Sequence, residues 1–413
     1  MNVELITIGD ELLLGQVVDT NSAWMGGELA KEGFRVHSIT SIGDEANEIK
    51  KTIERLLQQA DIVLITGGLG PTNDDITLQT LCEFFNTRMV FSERVYKDVE
   101  RFLSGRAGVM NELNKNQAMV PENATVISNT VGTAPITWFE RDGKVLVSMP
   151  GVPAEMKRVM SDEIIPRLKT HFKTPVLQHR HIIIHGYTES ALALKLESWE
   201  KHLPDYVKLA YLPQIGLMRL RLTATLDDQA ALTQVLDNEI EKIKTILGDA
   251  ILALEDVTPE VVIGKLLKDN KLTVATAESC TGGYIAHLLT SIAGSSDYYK
   301  GSVVAYSNEI KSDLLSVSTE DLHAHGAVSK EVVEQMANGV RERMKADVAI
   351  ATSGIAGPTG GTIEKPVGTV WIAIATPHKT ASQCFQFGQF RERNIVRSAI
   401  AALAMLKKEI GEM

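Results

Sequence analysis

A serine, a cysteine and a threonine follow one another in the short stretch ESCTGG, directly after an apolar run. Ser279 and Cys280 are both candidate nucleophiles for acyl transfer, and a thiol is intrinsically the stronger one at neutral pH. Thr281, Gly282 and Gly283 suit a phosphate instead, because glycines leave backbone N–H groups open to an anion. The stretch therefore predicts a nucleophile turn, a phosphate cradle or a polar helix cap, and spacing alone leaves Ser279 and Cys280 nearly equal.

A lysine and a tyrosine follow in the stretch GSVVAYSNEIKSDLL. Tyr306 ends a predicted strand and Lys311 lies five residues later in a predicted helix, so both can face one cleft. A lysine in apolar surroundings loses its proton more easily and can then act as a base toward a serine. The alternative is a solvated lysine at a helix end.

Two further motifs near the carboxyl end suit an anionic ligand. The stretch TSGIAGPTGG leaves a buried strand through glycines, so that Ser353 and Gly354 can face an oxyanion or a phosphate. Arg393 and Arg397 lie four residues apart on one face of the last predicted helix, where a guanidinium group can hold a phosphate. Surface ion pairing is the alternative for both arginines.

A glycine-rich loop also follows a strand in the first third of the chain, in the stretch GGLGPTNDD. Gly67, Gly68 and Gly70 can bring backbone N–H groups to a phosphate, although no Gly-Lys-Ser/Thr follows as in a Walker loop. Asp74 and Asp75 suit a divalent ion that bridges to diphosphate oxygens. Capping of the next helix is the alternative role for these acids.

Alternating strands and helices must position these motifs. The runs VELITIG, RVHSITSIG and DIVLITGG are separated by amphipathic helical segments, which predicts a parallel sheet covered by helices. The runs SVVAYS, ADVAIATSGIAG and GTVWIAIAT predict a second α/β domain near the carboxyl end. The chain is thus predicted to be an α/β protein with domains at 1–172, 173–254 and 255–413.

The middle segment, 173–254, reads as a small α+β unit similar to a KH module. The Gly-x-x-Gly loop of a KH module is missing between its first strand and helix, where residues 186–189 are Gly-Tyr-Thr-Glu. The segment therefore lacks the loop with which a KH module holds the RNA backbone. The apolar alternation of RHIIIH and GLMRLRLTATL implies a covered face, from which we expect a homodimer.

Composition narrows the setting further. A formal net charge of −10 over 413 residues argues against a nucleic-acid-coating protein. Three widely spaced cysteines offer neither a disulfide framework nor a zinc site of the usual spacing. The start of the chain is acidic where a signal peptide is basic, and no apolar run reaches membrane-spanning length. We expect a cytoplasmic protein with no membrane partner.

These motifs, together with TIGDELLLGQVVDTNS, VGTAPI, MPGVPAEM and KPVGTVW, resemble the competence/damage-inducible protein A (CinA) family over essentially the full length. The first domain resembles the molybdopterin-binding fold, which in this family is associated with a metal-dependent pyrophosphatase acting on ADP-ribose. The resemblance implies a divalent metal held by Asp75, Asp44 and Asp10, with Asp75 and Asp44 also catalytic. It carries over Asp10, Asn21 and Glu155 more weakly than the other two acids.

The last domain resembles the nicotinamide mononucleotide deamidases, which need no cofactor. That resemblance makes Ser279 the nucleophile, Lys311 the base and Tyr306 their partner, and it favours Ser279 over Cys280. The stretch GQFRERN departs from many relatives, which have an acidic residue between the glycine and the arginine, so the phosphate ligand stays open. Two other hypotheses are a non-catalytic nucleotide-binding regulator and a molybdopterin-processing enzyme.

Overall fold

The computed structural model describes residues 1–72, 74–104, 111–173, 176–226 and 228–412. The chain divides into two compact units, 1–178 with 225–229 and 179–224 with 230–413. Both are built from strands and helices in alternation, so the predicted α/β class is confirmed. No helix in the described ranges combines the length and the apolar composition that crossing a bilayer requires.

The first unit is organised around a six-stranded sheet. The strands of this unit are β1 Asn2–Ile8, β2 Arg35–Ile42, β3 Ile62–Thr66, β4 Met89–Phe91, β5 Met119–Pro121, β6 Thr125–Ile127, β7 Ile136–Arg141 and β8 Lys144–Met149. Its helices are α1 Asp10–Leu13, α2 Thr20–Lys31, α3 Ala46–Gln59, α4 Thr77–Phe84, α5 Glu93–Ser104, α6 Glu112–Asn116, α7 Pro153–Val159 and α8 Ile165–His171, with a π-helical turn at Met160–Ile164. The sheet order is β2-β1-β3-β8-β7-β6, and β4 pairs with β5 separately.

The order of the first three strands creates a crevice at one edge of this sheet. β1 pairs in parallel with β2 on one side and with β3 on the other. All five residues of β3 are buried, as in a parallel sheet covered on both faces. From β1 the chain passes to β2 on one side, and from β2 it crosses over to β3 on the other side of β1. The point between β1 and β3 is thus a topological switch point, where α/β sheets bind ligands. The glycine-rich loop follows β3 at this edge.

The middle segment forms a four-stranded sheet with two helices. Its elements are β9 Val176–His185, α9 Glu189–Glu200, β10 Val207–Gln214, β11 Leu217–Leu226, α10 Gln229–Leu247, a 3-10 turn at Gly248–Ala250 and β12 Ile251–Ala253. The order is β10-β11-β9-β12. Alternate side chains of β11 are buried within the single chain. A second copy is therefore not needed to cover this apolar face, and the homodimer stays a prediction without that support.

The last segment holds a five-stranded sheet. Its elements are α11 Pro259–Asp269, β13 Val274–Glu278, α12 Tyr284–Thr290, a 3-10 turn at Ser295–Asp297, β14 Tyr299–Val304, α13 Asn308–Leu315, α14 Thr319–His325, α15 Lys330–Met344, β15 Val348–Gly354, β16 Thr369–Ala375, β17 Thr380–Gln386 and α16 Arg391–Gly411. The order is β14-β13-β15-β16-β17, and β13 runs parallel to both of its neighbours. β16 and β17 complete the sheet as antiparallel strands.

This sheet repeats the switch point of the first one. The chain passes from β13 to β14 on one side and then crosses to β15 on the other, so the crevice opens between β13 and β15. Ser279 directly follows β13, and the second glycine-rich stretch follows β15. Carboxyl ends of parallel strands share one edge of a sheet, so motifs about 75 residues apart come together there.

Candidate active sites in the two α/β domains

Ser279 and Lys311 meet at the edge of the last sheet. The Nζ atom of Lys311 lies 3.3 Å from Oγ of Ser279. Lys311 reaches it from α13, where it is 1% exposed. The turn holds Ser279 in place because its N–H donates to the carbonyl oxygen of Thr352 on β15, at 3.0 Å. The predicted nucleophile and the predicted base are therefore within hydrogen-bonding distance.

Burial of Lys311 shifts its equilibrium toward the neutral amine. Its Nζ donates to the carbonyl oxygen of Ala305 at 2.7 Å and lies 3.5 Å from that of Ser307. Burial lowers the pKa of Lys311 below its ordinary value, while the nearby Cys280 and Glu309 act against that shift. A neutral amine has two N–H donors and one lone pair. If its two N–H groups were directed at the two carbonyls, a neutral Lys311 would present its lone pair to Ser279.

Cys280 lies in a different environment from its neighbour. Its side chain is 7% exposed and belongs to the apolar core of the last domain. Burial is the main cause that raises the pKa of the thiol to about 12. A thiolate is the reactive form of cysteine, so this thiol is a poor nucleophile at neutral pH. The geometry thus favours Ser279 between the two residues that spacing left open.

Glu278 is a buried acid next to Ser279 that sequence reasoning did not single out. Its carboxylate is fully buried and accepts hydrogen bonds from the backbone N–H groups of Gly283, Ile285 and Ala286 at 2.8–3.1 Å. It thereby occupies the N-terminal end of α12, where the phosphate cradle was expected. The signal was present in the sequence as an acid five residues before a Gly-led helix start, where a carboxylate can cap orphan N–H groups.

The other predicted residues of the turn have structural contacts of their own. Gly282 and Gly283 have φ values of 60° and 95°, a backbone region that disfavours a side chain. The hydroxyl groups of Thr281 and Thr352 lie 2.8 Å apart and join the turn after β13 to β15. These contacts explain why the turn has small and hydroxyl-bearing residues. Substrate binding by Thr281, Gly282 and Gly283 stays a prediction.

Tyr306 pairs with an arginine that the sequence analysis passed over. Nη2 of Arg391 donates to the Tyr306 hydroxyl at 2.9 Å, and Nη1 donates to the carbonyl oxygen of Gly357 at 2.9 Å. No hydrogen bond joins Tyr306 to Lys311 in the part of the chain that the structure describes. Arg391 is the first arginine of the FRERN stretch, and it links the loop after β14 to the loop after β15.

Ser353 and Gly354 both make contacts within the protein. The Ser353 hydroxyl donates to the carbonyl oxygen of Ala327 at 2.6 Å. A Cβ atom at Gly354 would come within 2.6 Å of Val370, so glycine allows β15 and β16 to pack. Their assignment to substrate binding stays a prediction. Asn394 holds the adjacent loop, since its Nδ2 donates to the carbonyl oxygen of Ala356 at 2.9 Å.

Arg393 and Arg397 lie in different surroundings. The Arg393 guanidinium lies 5.2 Å from the ring centroid of Phe390 and is exposed. Arg397 is half-buried where Gly216 of the β10–β11 hairpin packs against its backbone. Phosphate binding by either arginine stays a prediction, and Arg391 joins them as a third candidate.

The first unit has a cavity of about 450 Å³ at its switch point. Asp44 and Asp75 line it together with the predicted glycines Gly67, Gly68 and Gly70. Gly67 has φ 110° and lies against the backbone of Ile8, so that the loops after β1 and β3 touch. Motifs from β1, β2 and β3 therefore converge on one cavity.

Asp75 organises the glycine-rich loop. Its Oδ1 accepts from the N–H of Gly70 at 2.7 Å, and its Oδ2 accepts from the N–H and the hydroxyl of Thr72 at 2.9 and 2.6 Å. The alternative that an aspartate caps the next helix is wrong, because the N-cap of α4 is Ile76 and no side chain caps it. Both oxygens of Asp75 are engaged within its own loop.

Asp10 and Asp44, two of the three predicted metal ligands, lie next to each other. Each accepts from the backbone N–H of the other, at 3.2 and 3.4 Å. Burial, together with the nearby charges of Asp10, Glu11 and Asp74, raises the pKa of Asp44. No group of three His, Cys, Asp or Glu residues able to hold a metal occurs among the described residues. Two carboxylates still fit Mg²⁺, which binds through one or two of them plus substrate phosphates.

Asn21 and Glu155 also line this cavity. Nδ2 of Asn21 donates to the carbonyl oxygen of Gly151 at 2.7 Å. Glu155 accepts from Nδ2 of Asn129 at 2.8 Å. Each of the two side chains thus bonds to a neighbouring loop.

Comparison with known families assigns each part of the chain. The model described as the CinA C-terminal domain matches residues 257–410, that of a probable molybdopterin binding domain matches 4–170, and that of the damage-inducible protein CinA KH domain matches 179–253. The fold and the two crevices thus define a three-part α/β protein with a molybdopterin-binding-like domain, a KH-like domain and a CinA C-terminal domain.

Relatives along the whole chain lead to the family. A CinA-like protein from Cytophaga hutchinsonii is 46% identical over 99% of this chain and 98% of its own length. A CinA-like protein from Flavobacterium psychrophilum is 45% identical over 99% of both chains. The chain belongs to the CinA family. A crystal structure of a competence/damage-inducible protein from Agrobacterium tumefaciens is 41% identical over 36% of this chain and 92% of its own, with a TM-score of 0.36.

Proposed function

We propose that the last domain hydrolyses the carboxamide of nicotinamide mononucleotide to the acid, with release of ammonia. The observation that supports this most is the 3.3 Å approach of Lys311 Nζ to Ser279 Oγ with Lys311 almost fully buried. Amide hydrolysis by acyl transfer needs a nucleophile within reach of a base, and a buried lysine can be neutral near physiological pH.

In the proposed mechanism Ser279 attacks the amide carbon while Lys311 takes the hydroxyl proton. Lys311 then returns that proton to the leaving nitrogen, so that the C–N bond breaks and ammonia departs. Lys311 next takes a proton from a water molecule that attacks the acyl-serine ester. The same proton restores the Ser279 hydroxyl as the carboxylic acid is released.

Backbone donors near Ser279 complete the proposed site. The N–H groups of Ser279, Gly282 and Gly283 already bond within the protein, which leaves those of Cys280 and Thr281 as candidate donors to the oxyanion. We assign the phosphate of the substrate to the arginines of α16, with Arg391 foremost because it spans the loops after β14 and β15.

The direct test is to incubate the full chain with nicotinamide mononucleotide and to measure ammonia. We expect release by the wild-type chain and little release by Ser279→Ala. A wild-type chain that binds nicotinamide mononucleotide without releasing ammonia would favour a regulatory binding protein instead.

For the first domain we propose metal-dependent hydrolysis of ADP-ribose to AMP and ribose 5-phosphate. Asp10 and Asp44 would hold the ion with the diphosphate of the substrate, and the glycine-rich loop shaped by Asp75 would bind phosphate through its N–H groups. A bound divalent ion supplies charge neutralisation on phosphoryl oxygens and a more acidic water.

EDTA tests the metal, because chelation should abolish AMP formation and added Mg²⁺ should restore it. Asp44→Asn should lower AMP formation and leave ammonia release from nicotinamide mononucleotide unchanged. AMP formation that continues in EDTA would refute the metal assignment. Turnover of a molybdopterin precursor in place of ADP-ribose would favour the molybdopterin-processing alternative. We further propose that the chain is cytoplasmic and forms a homodimer; light scattering tests the dimer directly.

A further inference from the structure

The cavity of the first domain has two chemically different walls. One wall is polar and consists of the glycine-rich loop and the carboxylates described above. The other wall is apolar. Its side chains come from α1 and the segment after it, and from the loop before α7 and the start of that helix; they are Leu12, Val17, Val18, Val152 and Pro153.

Three valines of the apolar wall are unusually exposed. Val17, Val18 and Val152 are 52%, 79% and 54% exposed, although each lines the cavity. Apolar surface left in water costs free energy that a ligand recovers when it covers that surface. Neighbouring apolar side chains that line a cavity therefore offer a surface to an apolar part of a ligand.

Hydrogen bonds hold the segments that carry the valines next to the glycine-rich loop. Asp19 caps α2 by accepting from the N–H of Ser22, and Asn21 then donates to the carbonyl oxygen of Gly151 at 2.7 Å. These contacts join the segment that carries Val17 and Val18 to the loop that carries Val152. A Cβ atom on Gly151 would lie 3.4 Å from Cα of Gly67, so that loop also packs against the glycine-rich loop.

We propose that Val17, Val18 and Val152 form the wall that binds the aromatic base of a nucleotide whose phosphates lie on the glycine-rich loop. This inference rests on the proposed function of the first domain, and it identifies which residues select a nucleotide over a sugar phosphate. A ligand with a phosphate and a planar heterocycle matches both walls at once, whereas ribose 5-phosphate matches only the polar one.

An alternative occupant of the valines is a second copy of the chain. Leu14 lies in the same segment and is 70% exposed, but it does not line the cavity. A protein contact over this segment would cover Leu14 along with Val17 and Val18. A base inside the cavity would contact the valines alone, so Leu14→Ser is a matched control for Val18→Ser.

The experiment measures binding of AMP and of ribose 5-phosphate to the full chain by calorimetry in Mg²⁺ buffer. Binding that Gly70→Val abolishes is assigned to this cavity, because a side chain there would meet the Asp75 carboxylate. We expect wild-type protein to bind AMP more tightly than ribose 5-phosphate. Val17→Ser/Val18→Ser should weaken AMP binding about tenfold and leave ribose 5-phosphate unchanged, while Leu14→Ser changes neither.

The outcomes separate this inference from the proposed activity. Equal loss of AMP and ribose 5-phosphate binding, or no loss of either, would overturn the base wall even if ADP-ribose is hydrolysed. A smaller mass by light scattering in both the valine and the Leu14 variants, with AMP affinity unchanged, would assign the segment to a second copy and overturn it too. Selective loss of AMP binding would support the base wall even in a chain that hydrolyses no ADP-ribose.

Discussion

The carboxylate of Glu278 lies 2.8 Å from the backbone nitrogen of Ala286, so the last residue of β13 is bonded to the first turn of α12. The turn between them carries Ser279. This contact makes the position of the proposed nucleophile depend on a buried acid that takes no part in the chemistry.

Replacement of Glu278 tests that dependence. Glu278→Gln puts an NH₂ group where only an acceptor fits, so we expect a loss of about 1–3 kcal/mol in the free energy of unfolding, and a lower kcat as Ser279 shifts. Urea unfolding and deamidase kinetics measure the two effects. Glu320→Gln, in the first turn of α14 but exposed, should stay within about 0.5 kcal/mol. Equal stability of the two variants would contradict the role given to Glu278.

Ser279 and Lys311 should behave as one catalytic unit. Ser279→Ala and Lys311→Met should each lower kcat by roughly 10³-fold or more, and the double variant should be no worse than either single one. Lys330→Met, at an exposed lysine of α15, is the control and should keep wild-type kcat. Multiplicative losses in the double variant would show that the two residues act independently.

The pH dependence of the deamidase follows from the burial of Lys311. Burial disfavours the ammonium form, so the pKa of Lys311 is lowered, and the neutral base becomes available at lower pH than for a free lysine. We expect kcat/KM to rise with pH through a midpoint below about 10.4, the ordinary lysine value. A midpoint at or above that value would mean that another group limits the reaction.

Thiol chemistry separates Cys280 from Ser279. Because burial raises the pKa of Cys280 to about 12, iodoacetamide should modify the exposed Cys384 first and leave ammonia release intact. Cys280→Ala should retain most activity, and Cys384→Ala should remove the fast labelling, as peptide mass analysis would show. If Cys280→Ala abolished ammonia release and Ser279→Ala spared it, the mechanism would have to be rebuilt on the thiol.

Arg391 should matter more for substrate binding than its neighbour Arg393. Arg391→Ala removes the link from Tyr306 to Gly357 and the proposed phosphate donor, so KM for nicotinamide mononucleotide should rise about tenfold or more with a smaller change in kcat. Arg393→Ala is the matched control on the same helix and should change KM little. A larger effect at Arg393 would return the phosphate to the arginine that the sequence indicated.

The sequence by itself determined the alternation of strands and helices, because buried parallel strands and amphipathic helices have periods that one chain displays directly. It also identified Ser279, Lys311 and the acids near the first glycine-rich loop as candidates, since these residue types stand out by chemistry. Only the tertiary structure decided their environments. Examples are the burial of Cys280, the position of Glu278 at the start of α12 and the pairing of Tyr306 with Arg391. The last of these joins residues that are 85 positions apart. Such contacts depend on strand order and packing, which local periodicity does not encode.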